Sequence, residues 1–104
     1  FRSTCKHAFV TLTREGMTTR DMQERLAHTF SCKPDDIGVA GLKDRHAITT
    51  QTFSLPREQL ARELRVLSHD SALMAIRDQL ISAGRDAGWH IEGQPAWHRG
   101  KLRR

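Results

Sequence analysis

Residues 7–13, HAFVTLT, place Ala8, Val10 and Leu12 on one side of an extended chain and Phe9, Thr11 and Thr13 on the other. A period of two rich in β-branched residues predicts a strand. Gly16 breaks it, and the spacing then changes. Met22, Leu26 and Phe30 recur every fourth residue, which stacks them on one face of a helix. Thr18 followed by Asp21 predicts a capping box at its start, with Asp in the position usually held by Glu. Pro34 prevents the helix from running on. Strand and helix each carry one apolar face that must be covered by another element. This constrains the chain to a mixed, layered architecture more strongly than anything else in its sequence.

The remaining elements are read in the same way. Asp35-Asp36 leads into IGVAG, residues 37–41, a short apolar strand ending at Gly41. ITTQTFSL, residues 48–55, is a second strand, expected beside the first with residues 42–47 as an accessible connecting loop. Pro56 begins a helical pattern with Leu60, Leu64 and Leu67 on one face. Another helix is predicted from about Asp70 or Ser71, with Leu73, Ile76, Leu80 and Ala83 buried and Gly84 or Gly88 at its end. WHIEG predicts a strand, Gln94-Pro95 an interruption, and AWHRGKLRR a last extended segment. The order β-α-β-β-α-α-β-β is α+β, with an antiparallel or mixed sheet and helices on one side. No repeat or linker divides residues 1–104, so they read as one unit. Phe1 in place of an initiator Met makes that unit read as an incomplete, excised piece.

Composition excludes several classes. The chain has 104 residues, of which 38% are hydrophobic and 28% charged. No run of about 18 apolar residues is present, so no transmembrane helix is expected and no membrane partner. Cys5 and Cys32 have neither CxxC spacing nor the density of a disulfide scaffold, and read as free thiols of a cytoplasmic protein. The net charge is +5, and four of the 17 bases lie in the last six residues: Arg99, Lys101, Arg103 and Arg104. Without them 13 bases face 12 acids. Such a tail either contacts phosphates or is a solvated strand. Trp89 and Trp97, each beside a histidine, suit base stacking or core packing.

The densest chemistry lies between the two central strands. Lys43, Asp44, Arg45 and His46 follow Gly41 side by side. Neighbouring positive charge favours an ionised Asp44. A fixed anion at such a bend can serve as nucleophile, general base or metal ligand, or it can be an ordinary turn residue. No HxH or HExxH set accompanies His46, so no metal is expected. A glycine-rich phosphate loop and a GxSxG elbow are both absent from the sequence.

Gly41-Leu42-Lys43-Asp44-Arg45-His46-Ala47-Ile48-Thr49-Thr50-Gln51 resembles the signature of the TruD family of tRNA pseudouridine synthases, G-x-K-D-[KR]-x-A-x-T-x-Q, at all seven specified positions. The preceding HAFVTLTREGMTTRDMQERLAHTF looks like that family's strand and helix before the signature, and WHRGKLRR like its following basic strand. The resemblance implies part of a pseudouridine synthase catalytic domain acting on tRNA, at a uridine of the D-arm. It implies that Asp44 is the catalytic aspartate, attacking the nucleoside at the base or at sugar C1′, with no metal and no cofactor. Lys43 and Arg45 would orient the carboxylate, meet RNA phosphates or simply be solvated. Thr49 and Gln51 share a strand face and would support the loop by hydrogen bonds or merely pack. Whole members of the family are longer. They carry a basic and an aromatic residue upstream, an Asn-x-Phe motif downstream and an inserted domain that this chain lacks. The alternative is a small basic RNA-binding module without chemistry.

Overall fold

The computed structural model describes residues 6–41 and 48–103. Four antiparallel strands form one sheet in the order β2-β3-β1-β4: β1 is His7–Glu15, β2 Gly38–Val39, β3 Ile48–Pro56 and β4 Trp89–His98. Three helices complete it: α1 Thr19–Phe30, α2 Arg62–Arg65 and α3 His69–Gly84. The architecture is α+β, with the helices packed on one side of the sheet.

The alternation of β1 becomes its two faces. Ala8, Val10 and Leu12 are buried against the helices, whereas Phe9, Thr11 and Thr13 point to the open side and are half-buried. On β3, Phe53 and Leu55 continue the helix side. Met22, Leu26 and Phe30 of α1 and Ile76 and Leu80 of α3 close the core over them. Each such side chain contributes about 1.5–3 kcal/mol by leaving water.

The capping box forms as the spacing predicts. Thr18 Oγ1 accepts from Asp21 N at 3.0 Å, and Asp21 Oδ2 accepts from Thr18 N at 2.9 Å. The buried amide of Gln23 donates to Ile37 O at 2.8 Å and fixes α1 to the approach of β2.

Several expected boundaries move. The apolar run 37–41 pairs as a strand only at Gly38 and Val39, although Ala40 N still donates to Thr52 O at 3.0 Å. The helix expected from Pro56 to Leu67 is a 3-10 turn, Arg57–Gln59, and the four-residue α2. Only Leu60 and Leu64 reach the core, while Leu67 is 36% exposed. Leu60 closes the 3-10 turn in an extended conformation, which ends any continuous helical register there. The next helix starts at His69, capped by Ser68. Its buried stripe is Ala72, Ile76, Leu80 and Gly84, with Leu73 and Ala83 half-buried at the margins.

The two C-terminal strands are a single strand. Gln94-Pro95 does not interrupt β4. Residues 93–95 sit opposite Val10 alone, between the pairs Thr11–Glu92 and Phe9–Ala96. A bulge absorbs proline there without ending the ladder.

Candidate active site

Of the signature, residues 41–51, the structure describes Gly41 and residues 48–51. Gly41 takes a φ of +73°, which an L side chain adopts with strain, so the glycine of the signature has a backbone reason. Lys43, Asp44 and Arg45, and the expected accessibility of Asp44, lie outside the described residues, as does Arg104. What the structure describes is the platform from which residues 42–47 leave and to which they return.

Gln51 dominates that platform. It is on the helix side of β3, 3% exposed, and its carboxamide spans two sets of partners. Nε2 donates to Gly41 O at 3.2 Å and Ala40 O at 3.4 Å. Oε1 accepts from Arg14 Nη1 at 2.7 Å and from Thr19 Oγ1 at 3.1 Å. The backbone of Ala40 and Gly41 is therefore tied to β3 through a side chain. Of the two supporting roles open to Gln51, hydrogen bonding and packing, it performs the first at the backbone preceding residues 42–47.

Arg14 is the largest fully buried side chain among the described residues, at 1% exposure. Besides Gln51 it donates from Nε to Met17 O at 2.8 Å and from Nη2 to Thr19 Oγ1 at 3.2 Å. All three acceptors are uncharged. Burial lowers its pKa and the carboxylate of Asp21 opposes that shift. A guanidinium keeps its charge under such conditions. Thr49 lies opposite Arg14 in the ladder, and its buried Oγ1 has no hydrogen-bond partner among the described residues.

Sequence reasoning singled out Gln51 and Thr49 but passed over Arg14 and Thr19. A signal for Arg14 was present: it continues the inward phase of Ala8, Val10 and Leu12, so the period of two already aims it into the core.

The basic tail is not a free end. Leu102 N donates to Ser54 Oγ at 3.1 Å, and Lys101 Nζ to Asp35 O at 2.7 Å. The tail crosses the open face of β2 and β3, and Gly38 permits this. A Cβ there would collide with Ser54 Oγ, with Leu102 O and with the Lys101 side chain. A cleft of about 300 Å3 beside β2 brings Lys101 and Arg103 next to Arg20. Lys101 and Arg103 thus flank the strand that leads to Gly41, and Arg99 and Arg103 are exposed. Trp89 is a core residue, and Trp97 is half-buried with Nε1 donating to His69 O at 3.1 Å.

A larger groove of about 550 Å3 between α1 and α3 contains none of the signature residues among the described ones. The thiol of Cys32 is pushed up to about 11 by burial and by Asp36, which leaves it a poor nucleophile. Among the described residues no group of three or more His, Cys, Asp or Glu could hold a metal ion. No helix among them is long and apolar enough to cross a membrane.

Comparison with known proteins decides the family. The family model for tRNA pseudouridine synthase D (TruD) matches residues 2–85. This chain belongs to the TruD family. It is 48% identical over 50 residues to the tRNA pseudouridine synthase D of Methylococcus capsulatus, covering 48% of this chain and 14% of that protein. It is 45% identical over 53 residues to that of Thermus thermophilus, covering 51% and 15%. The match to the Xanthomonas oryzae pv. oryzae protein of the same name is 34% over 101 residues, covering 95% of this chain and 22% of that protein. The chain thus spans less than a quarter of the length of these TruD relatives.

Proposed function

We propose that this chain carries the catalytic aspartate segment of a tRNA pseudouridine synthase, with Asp44 as the reacting carboxylate. One observation carries the reading. The described ends of the signature are joined by a polar clamp, from the buried Gln51 to the backbone of Ala40 and Gly41. A solvated turn needs no buried carboxamide to hold its approach.

The reaction is an isomerisation and balances without a co-reactant. The C1′–N1 bond of a uridine breaks, a C1′–C5 bond forms, the C5 proton is lost and N1 gains one. An enzyme acting on a base takes it out of the stack and holds it in a pocket. Asp44 then attacks at the base or at C1′, where a carboxylate can trap or stabilise an electron-poor sugar as in glycoside chemistry. Lys43 and Arg45 orient the carboxylate or contact phosphate. Thr49 Oγ1, buried and without a described partner, is a hydroxyl to spare at the foot of the segment. The tail bases Arg99, Lys101, Arg103 and Arg104 add sequence-independent attraction to the tRNA backbone. The substrate uridine is one of the D-arm.

The test uses a chimaera in which this chain replaces the matching segment of the Xanthomonas oryzae relative, incubated with unmodified tRNA. Pseudouridine is read by mass spectrometry. Asp44→Asn keeps the shape of the side chain but removes its nucleophilicity, so product should vanish while tRNA affinity is retained. Product from the Asp44→Asn chimaera would return Asp44 to the status of a turn residue. A chimaera that binds tRNA without forming product, and whose binding is kept or strengthened by Asp44→Asn, would favour the non-catalytic RNA-binding module.

A further inference from the structure

A carboxamide can turn over by exchanging its donor and acceptor ends, so its neighbours choose its orientation. On one side of Gln51 stand two donors, Arg14 Nη1 at 2.7 Å and Thr19 Oγ1 at 3.1 Å. On the other stand two acceptors, Gly41 O and Ala40 O. The demand from Arg14 is absolute, because a guanidinium has donors only and does not lose its proton. Thr19 cannot impose the same demand alone, because a hydroxyl donates or accepts as required. Arg14 is itself fixed by its bonds to Met17 O and Thr19 Oγ1 and by nearly complete burial.

We infer that Arg14 is a positioning residue for the Asp44 segment. By holding Gln51 Oε1 it turns the Gln51 NH2 toward Ala40 and Gly41, and so fixes the backbone from which residues 42–47 depart. This rests on the assignment of Asp44 as the reacting carboxylate. Arg14 lies outside the G-x-K-D signature and reaches the segment only through Gln51, so it belongs to the site without touching substrate.

The chemistry separates orientation from folding through one substitution. Gln51→Glu keeps an oxygen for Arg14 and makes that contact an ion pair, but places a second oxygen against two carbonyls in place of a donor. The variant should fold, and in the chimaera its kcat should drop about 100-fold, as a misplacement of roughly 1 Å costs in a positioned reaction. KM for tRNA should change little. Arg14→Met should lower kcat similarly, and the double variant should be no worse than either single one, since both break the same connection. If Arg14→Met does not fold, Arg14→Lys takes its place in the cycle.

The 104-residue chain provides a readout independent of turnover. The Gln51 side-chain amide protons should be protected from solvent exchange, and Arg14→Lys should speed their exchange about tenfold or more. Wild-type kcat in Gln51→Glu, multiplying effects of the Arg14 and Gln51 changes, or unchanged amide exchange in Arg14→Lys would each overturn the inference. Product from Asp44→Asn would instead sink the catalytic assignment, whatever the Arg14 variants do.

Discussion

Arg14 and Arg57 stand at opposite ends of the central strand pair and do different work with the same guanidinium. Arg57 follows the last residue of β3, where its N donates to Lys6 O at 2.7 Å. Its Nη2 donates to Arg65 O at 3.3 Å and Leu67 O at 3.1 Å, and its guanidinium lies 5.0 Å from the ring centre of Trp97. It holds one carbonyl at the end of α2, where helices leave acceptors unsatisfied, and one just beyond it. Arg14 holds a side chain, Gln51, that in turn holds the backbone of Ala40 and Gly41. The Arg57 arrangement is half-buried, and water can replace part of it. The Arg14 arrangement is sealed, so each group left without its partner there costs its full desolvation. A fork of donors at the surface organises chain ends, whereas one in the core can pass an orientation through a second residue to a site.

Breaking the two forks should show this asymmetry in stability. Arg14→Ala takes the guanidinium from Gln51 Oε1, Met17 O and Thr19 Oγ1 and opens a cavity, at a cost of about 3 kcal/mol or more. Arg57→Ala loses partly solvated bonds and a cation–ring contact, at about 1–2 kcal/mol. Urea denaturation of the 104-residue chain measures both. Equal losses would mean that the Arg14 network is no more demanding than a surface clip.

A smaller effect distinguishes the two ends by pH. His69 lies in the Arg57 cluster, with its ring centroid 4.9 Å from that of Trp97, and His7 pairs with Pro56 beside it. Burial first, then Arg57, lowers the pKa of His69. Burial first, then Lys101, lowers that of His7. A histidine whose folded pKa is depressed contributes stability that is fully present above its ordinary value of 6.5 and is lost as pH falls below it. The chain should therefore weaken as pH drops through that range, and His7→Gln with His69→Gln should flatten the fall. A fall of the same depth in the double variant would assign the pH response to other groups. The Arg14 network contains no histidine, so its amide protection should hold through the same interval.

The path from sequence to fold was shortest where one pattern had one solution. The alternation of residues 7–13 and the spacing of Met22, Leu26 and Phe30 gave β1 and α1, because an exposed copy of either apolar face would be costly. The Thr18–Asp21 box formed because both groups are local. The helix from Pro56 to Leu67 was misread because leucines at helical spacing also suit a turn and a short helix that dip into the core twice. The break at Gln94-Pro95 was misread because a proline that ends an isolated strand can sit in a bulge once a neighbour strand supplies the ladder on either side.

The candidate site divides along the same line. The signature and its aspartate were legible in the one-dimensional order of residues 41–51, since spacing along a chain is a sequence property. The inward phase of Arg14 was legible too. Its pairing with Gln51 was not. That contact joins residues 37 positions apart and depends on the register that sets Leu12 against Gln51 and Arg14 against Thr49. Register, and with it which donor faces which end of a carboxamide, is fixed only when the strands pair and the helices seal their face, because only exclusion of water makes that choice of partner binding.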